Sequence, residues 1–225
     1  MFPIVVFVNE AAPARVWCAA MTNPSGTELD LAALLVKGWA GRDDFPDTEY
    51  GRALEFYEAM RAYDDRLYCV RERASGLIEQ WTGRRPRDVG SFGTRLNLET
   101  SDLDLGIGYP VEGRSGLMAT LASYTEFLGE RYTRFSTTRL VFSFTVDDVQ
   151  IDMSALTEDD FAVACRMLDQ IGQIMTHEER VCHTWVKHLL GQQGRLEEYA
   201  AWKLVTYRRF CPEFNWVPIP EKAST

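Results

Sequence analysis

The sequence predicts an α+β chain: a small mixed β-sheet backed by helices, followed by a helical lobe. Three observations carry this. Residues 139–146 (RLVFSFTV) and 149–154 (VQIDMS) alternate apolar and polar positions across an Asp147-Asp148 turn, as a β-hairpin does. Residues 48–81 place Leu54, Tyr57, Met60, Leu67, Val70, Leu77 and Ile78 at helical intervals. Beyond the hairpin, Thr157 with Asp160 and Thr176 with Glu179 have the spacing of helix-start signals, each opening an amphipathic run.

In chain order, residues 3–8 (PIVVFV) read as a short buried strand and 15–20 as a second one. A helix is expected over 27–39, and GRDDFPD at 41–47 reads as a linker closing an N-terminal extension, 1–47. The core is expected over 48–156, with the 48–81 helix broken near Asp64 and ended by TGRRPRD at 82–88. A Gly-rich loop and an alternating strand follow. Residues 115–132 then read as a helix carrying Leu117, Leu121, Tyr124 and Leu128 on one side. The helical lobe spans 157–225: the two capped helices, a break at Gly191 to Gly194, a helix from about 196 to 210, and a proline-containing tail.

Composition narrows the function. Of 225 residues, 46% are hydrophobic, so the chain has the material for a core without disulfide staples. The net charge of −9 argues against broad, sequence-independent attraction to nucleic acid or to an anionic membrane. Cys18, Cys69, Cys165, Cys182 and Cys211 are odd in number and lack CxxC spacing, which suits reduced thiols. The N-terminal apolar run is too short to span a membrane and has no basic flank. A soluble, intracellular protein is the expectation, cytoplasmic with an organelle as the alternative.

The chemistry concentrates in VGSFGTRLNLETSDLDLGI, residues 89–107. In a strand, Asp102 and Asp104 project from one face while Leu103 and Leu105 are buried on the other. Two carboxylates that close repel unless a cation sits between them. In the hairpin, Val149, Ile151 and Met153 take the core side and Gln150, Asp152 and Ser154 the other. If the two strands lie close, Asp152 joins Asp102 and Asp104 on one open surface. Three oxygen-donor acids suit Mg²⁺ rather than zinc, and a pair of Mg²⁺ ions suits phosphoryl or nucleotidyl transfer. Upstream, Gly90 allows close backbone approach to a phosphate, with main-chain N–H groups and the Ser91 hydroxyl as donors.

Gly-Ser, then Asp-x-Asp in a TSDLDL context, then a later IDM strand together resemble the DNA polymerase β-type nucleotidyltransferase superfamily. GSFGTRLNLETSDLDL is most similar to the terminal uridylyltransferases and related poly(A) polymerases. The resemblance implies a Mg²⁺-dependent enzyme, with Mn²⁺ as an alternative ion, that adds UMP or AMP from a nucleoside triphosphate to an RNA 3′ end. Asp102, Asp104 and Asp152 would be its catalytic and metal-binding acids, and Gly90 and Ser91 its phosphate grip. VKHLL (186–190) and GRLEEYAAWKLV (194–205) look like the family's triphosphate-contacting helix and base-stacking segment, which makes Lys187 a phosphate ligand and Tyr199 the base platform. Arg95 stands where the family often has Gly, and Glu198 where a Ser usually assists the triphosphate.

Other readings of the sequence compete with these. His177, Cys182, His183 and His188 crowd one region, but their spacing does not put three on one helix face, which disfavours zinc. The arginines at 84, 85, 87, 131, 134 and 139 read either as a solvated surface or as contacts to RNA or triphosphate, and the acidity of the remainder points to a protein partner supplying RNA affinity. Two other functions compete: nucleotidyl transfer to a small-molecule or protein hydroxyl, and a catalytically silent nucleotidyltransferase-like scaffold or RNA-binding subunit.

Overall fold

A computed structural model describes residues 29–133 and 136–212. The strands expected at 3–8 and 15–20 and the tail after 212 lie outside the described residues. The order is α1 (Leu31–Lys37), α2 (Asp47–Arg61), α3 (Asp64–Thr82), β1 (Arg87–Asp88), β2 (Leu103–Gly108), α4 (Arg114–Leu121), β3 (Phe127–Thr133), β4 (Ser136–Val146), β5 (Val149–Leu156), α5 (Glu158–Ile174), α6 (His177–Gln192) and α7 (Leu196–Phe210). The α+β class read from the sequence is the class observed.

The five strands form one sheet in the order β1-β2-β5-β4-β3. β2 and β5 run parallel, in register from Leu103 opposite Ile151 to Gly108 opposite Leu156. The other pairs are antiparallel. The β4-β5 hairpin turns at Asp147 and Asp148, whose φ values of 48° and 62° are those of the tight turn matching strand twist.

Register sorts the side chains into rows. Leu103, Ile151 and Phe144 form one row and Leu105, Met153 and Phe142 another, all buried against Val70, Ala74 and Ile78 of α3 and Leu117 and Leu121 of α4. Each such large apolar side chain contributes roughly 1.5–3 kcal/mol by leaving water. This burial fixes register, because a one-residue slip would turn every apolar residue to the opposite face. It therefore also fixes which residues appear on that face: Asp104 pairs with Asp152, and Asp152 with Ser143.

The helical lobe starts as its sequence signals predict. Thr157 accepts a hydrogen bond from the Asp160 N–H, and Thr176 and Glu179 cap each other reciprocally. In the stretch read as a linker, residues 42–44 form a 3₁₀ turn and Phe45 is buried. Phe45 shares an apolar cluster with Leu34, Tyr57, Val181, Val186, Leu190 and Trp202, so α1 and α2 pack on α6 and α7.

One element differs from expectation. The helix anticipated over 115–132 stops at Leu121, and Phe127–Thr133 becomes β3, paired with β4. Leu128, which the helical pattern placed on the buried side, is exposed. Leu117, Leu121, Tyr124 and Leu128 have helical spacing, but Thr125, Phe127, Tyr132 and Thr133 are β-favouring residues, and the free edge of β4 supplies partners that local propensity does not foresee. Among the described residues, no helix is long and apolar enough to cross a membrane.

Candidate nucleotidyl-transfer site

Asp102 precedes β2, Asp104 is its second residue, and Asp152 lies opposite Asp104 on β5. Parallel pairing of two strands far apart in sequence brings the three acids together, each with a potential ligand atom within 4.8 Å of the others'. It is the one group of three or more potential metal ligands among the described residues, so the histidines and Cys182 around α6 form no such cluster.

The trio is not uniformly open. Asp104 and Asp102 are half-buried, whereas Asp152 is 1% exposed, contrary to the expectation of a common open surface. The reason is its position on a strand flanked on both sides, where Ser143 Oγ and Gln150 Nε2 donate to its Oδ1 at 2.7 and 2.9 Å. Those two donors orient the carboxylate. Burial, reinforced by the charges of Asp104 and Asp152, raises the pKa of Asp102 to about 7. Three acids crowded this closely fit a divalent cation: hard oxygen donors, close spacing and surplus negative charge are what Mg²⁺ or Mn²⁺ requires.

Gly90 is explained by Asp104. A Cβ at position 90 would lie 2.0 Å from Asp104 Oδ2 and 2.4 Å from Asp104 Cβ, so only glycine leaves room for this carboxylate. The loop after it folds back on itself, with Leu96 N–H and Thr94 Oγ1 donating to the Ser91 carbonyl. Arg95, at the position where the resembled family often has Gly, adopts φ 60°. Arg61 ties the loop to α2 by donating to Asn97 Oδ1 and to the Asn97 carbonyl, both at 2.9 Å. Arg180 of α6 donates to the Thr94 carbonyl.

Lys187 completes the tie. Its Nζ donates to Ser101 Oγ at 2.8 Å, to the Leu96 carbonyl at 3.3 Å and to Ser91 Oγ at 3.4 Å. Burial and the neighbouring Lys203 lower its pKa to about 8, against the pull of Asp102 and Asp104. Gly90, Ser91, Lys187 and the three acids thus share one site. Tyr199 lies beside Lys187, 5.8 Å from Nζ to ring centre, but it is 4% exposed, and the stacking face the resemblance implies for it is covered in this structure.

Four of the arginines flanking the region have acid partners, and the side chains of Arg131 and Arg134 lie outside the described residues. Arg84 pairs with Glu158, Arg85 with Glu72 at 3.5 Å and Arg87 with Asp169 at 2.6 Å. Arg139 reaches toward Asp104 Oδ1 at 3.9 Å and donates to Ser154 Oγ. These four do not form an uncompensated basic stripe. The sequence reading missed Ser143, Ser101, Arg61 and Lys203. Ser143 carried a signal, being a polar residue on the Asp152-facing side of an otherwise apolar strand, and Lys203 stands one helical turn after Tyr199.

No family model matches the chain, and no curated protein sequence is detectably similar. Solved structures are. The structure of the GLD-2/RNP-8 complex aligns with a TM-score of 0.52 and 16% identity, over 75% of this chain and 63% of that one. A cytoplasmic RNA terminal U-transferase aligns with a TM-score of 0.46 and 14% identity, over 64% of this chain and 44% of that one. The chain therefore spans just under two thirds of the first of these. The fold is thus similar to the one seen in the GLD-2/RNP-8 structure.

Proposed function

We propose that the protein is a divalent-metal-dependent nucleotidyltransferase that adds nucleotides, UMP or AMP, from a nucleoside triphosphate to an RNA 3′ end. The observation that carries this is the convergence of Asp102, Asp104 and Asp152 within 4.8 Å, beside a lysine-bound Gly-Ser loop. In the reaction, the RNA 3′-hydroxyl oxygen forms a bond to the α-phosphorus, the bond from that phosphorus to the α,β-bridging oxygen breaks, and pyrophosphate leaves. Asp102 and Asp104 would hold two Mg²⁺ ions, with Asp152 as third ligand. When bound, the ions would neutralise charge on the phosphates and acidify the attacking hydroxyl.

The chain's own groups do the rest. Ser143 and Gln150 orient Asp152, which would steer the 3′-hydroxyl and draw off its proton. Gly90 keeps the Asp104 carboxylate in place, and Ser91 and Lys187 hold the triphosphate. The acidic net charge and the acid-paired arginines support the reading that RNA affinity comes from a protein partner. The GLD-2 structure to which this fold is similar is itself that of a complex with RNP-8.

The test is incorporation of labelled ATP and UTP into a short RNA with Mg²⁺. The wild-type protein extends the RNA, whereas Asp102→Asn with Asp104→Asn loses more than about a thousandfold in rate while staying folded. Labelling of protein or small hydroxyl acceptors with no RNA extension would transfer the same chemistry to another acceptor, and equal incorporation by the double variant would refute the mechanism.

A further inference from the structure

Three arginines from three parts of the chain gather at the turn 94–97, on the loop between Ser91 and Asp102. Arg180 of α6 donates to the Thr94 carbonyl at 3.2 Å and to the Gly172 carbonyl at 2.8 Å, so its acceptors are main-chain oxygens rather than acids. Arg61 of α2 donates to Asn97 and lies 4.7 Å over the Tyr57 ring. Arg95, in the turn itself, is exposed and makes no hydrogen bond or ion pair among the described residues. The fields of all three reach the buried Tyr57; against them stands Asp64, 3.3 Å from Arg61. On α6 the adjacent acid, Glu179, is taken up in capping Thr176.

The arginines beside the sheet pair with acids, whereas Arg95 and Arg180 do not. In a chain of net charge −9, such a spot is where an anion is attracted. The backbone adds a second observation. Arg95 has φ 60°, a conformation that glycine adopts freely and a residue with a Cβ does not, so the turn carries strain under a side chain that bonds to nothing in the fold. The loop indicates which anion. Arg95 and Asp102 are seven residues apart, which keeps the patch within about 25 Å of the acids, a reach of several nucleotides. The same turn is tied to the site, since Lys187 donates to the Leu96 carbonyl and to Ser101 Oγ. Guanidinium groups match phosphate oxygens in a planar fork, and Tyr57, at 3% exposed, offers no pocket for the side chain of an acidic peptide.

We propose that Arg95 and Arg180 hold the phosphodiester backbone of the RNA acceptor upstream of its 3′ end, with Arg61 bracing the turn they share. This rests on the nucleotidyltransferase reading and adds to it the path of the acceptor. Contacts to one or two phosphates carry no base information and are weak alone, which agrees with a partner supplying most of the RNA affinity.

The test is fluorescence anisotropy with a short fluorescein-labelled single-stranded RNA over a range of KCl concentrations, beside calorimetric binding of ATP and UTP and thermal melting of the same proteins. Arg95→Gln should bind the RNA about tenfold more weakly at low salt, the loss of one charge-assisted contact. Its log K should also fall less steeply with log [KCl], by about 0.7, the share of one phosphate on a single strand. Arg95→Gly should lose the same RNA affinity while melting about 2–4 °C higher, because glycine adopts this φ without strain. Arg95→Lys should recover most of the RNA affinity, and triphosphate binding should be unchanged in all three. RNA affinity and salt dependence unchanged in both Arg95→Gln and Arg95→Gly would overturn the contact and leave the nucleotidyltransferase reading intact. Polyglutamate bound more tightly than RNA, with the same dependence on Arg95, would assign the patch to an acidic peptide and also overturn it. A wild-type protein that neither binds nor extends RNA at low salt would overturn both.

Discussion

The sheet face bearing the three acids and the aromatic core of the helical lobe both bury ionisable side chains, and they treat them in opposite ways. In the lobe, His183 is 1% exposed, stacked on Trp202 at 4.5 Å and edge-on to Trp39 at 4.8 Å, and its Nε2 accepts the Ala40 N–H. Burial pulls its pKa down to about 3, so it is a neutral, hydrogen-bonded ring that serves packing. On the sheet, burial and mutual repulsion push Asp102 up to about 7 beside two further acids, and Lys187 is drawn down to about 8. In the lobe core, His183 is satisfied by the backbone beside it. The acid site keeps three carboxylates together, and α6 and α7 of the lobe bring Lys187 and the unpartnered Tyr199 hydroxyl to its edge.

The comparison can be broken first at Gly90. Gly90→Ala puts a methyl into the space of the Asp104 carboxylate, so nucleotide incorporation should fall by at least about a hundredfold, the cost of misplacing a reacting group by about 1 Å. Stability should fall by only about 1–3 kcal/mol. Steady-state incorporation and urea unfolding of the same variant check both, and near-wild-type activity would show that the site tolerates a displaced Asp104.

His183 sharpens the comparison from the other side. Its folded-state pKa lies below the 6.5 of the unfolded chain, so the unfolded state takes up a proton as pH falls while the folded state does not. The stability is fully present above pH 6.5 and is lost as pH drops from about 6.5 toward about 3. Between pH 7 and pH 5 the loss from this residue is about 2 kcal/mol. His183→Gln should flatten the stability profile over that interval by this amount, with incorporation at neutral pH retained. Parallel urea-unfolding profiles for variant and wild type would mean that His183 is protonated inside the fold.

Much of the site was legible in the sequence because it depends on strand alternation. Once SDLDL and VQIDM are read as strands with Leu103, Leu105, Ile151 and Met153 inward, the outward positions of Asp104 and Asp152 follow. The direct pairing of Asp104 with Asp152 did not follow, since a parallel register between distant strands is set by tertiary packing. The same limit explains β3: its residues satisfy a helical pattern in isolation, and the edge of β4 decides against it. Gly90 was legible as a position needing glycine, yet its structural neighbour is the Asp104 side chain. Lys203 escaped because a lysine on an amphipathic helix is by default a solvated residue, and its place beside Lys187 appears only when α6 and α7 bring both to the same tyrosine.

The central claim is that the acids on the sheet form a divalent-cation site. The most direct measurement is a titration of the protein with Mn²⁺, followed by electron paramagnetic resonance with and without a nucleoside triphosphate. Wild-type protein should remove Mn²⁺ from the free pool, more tightly with the triphosphate present, and Asp102→Asn with Asp104→Asn should leave the ion free apart from that held by the nucleotide alone. Equal Mn²⁺ uptake by the two proteins, or none by the wild type, would contradict the account.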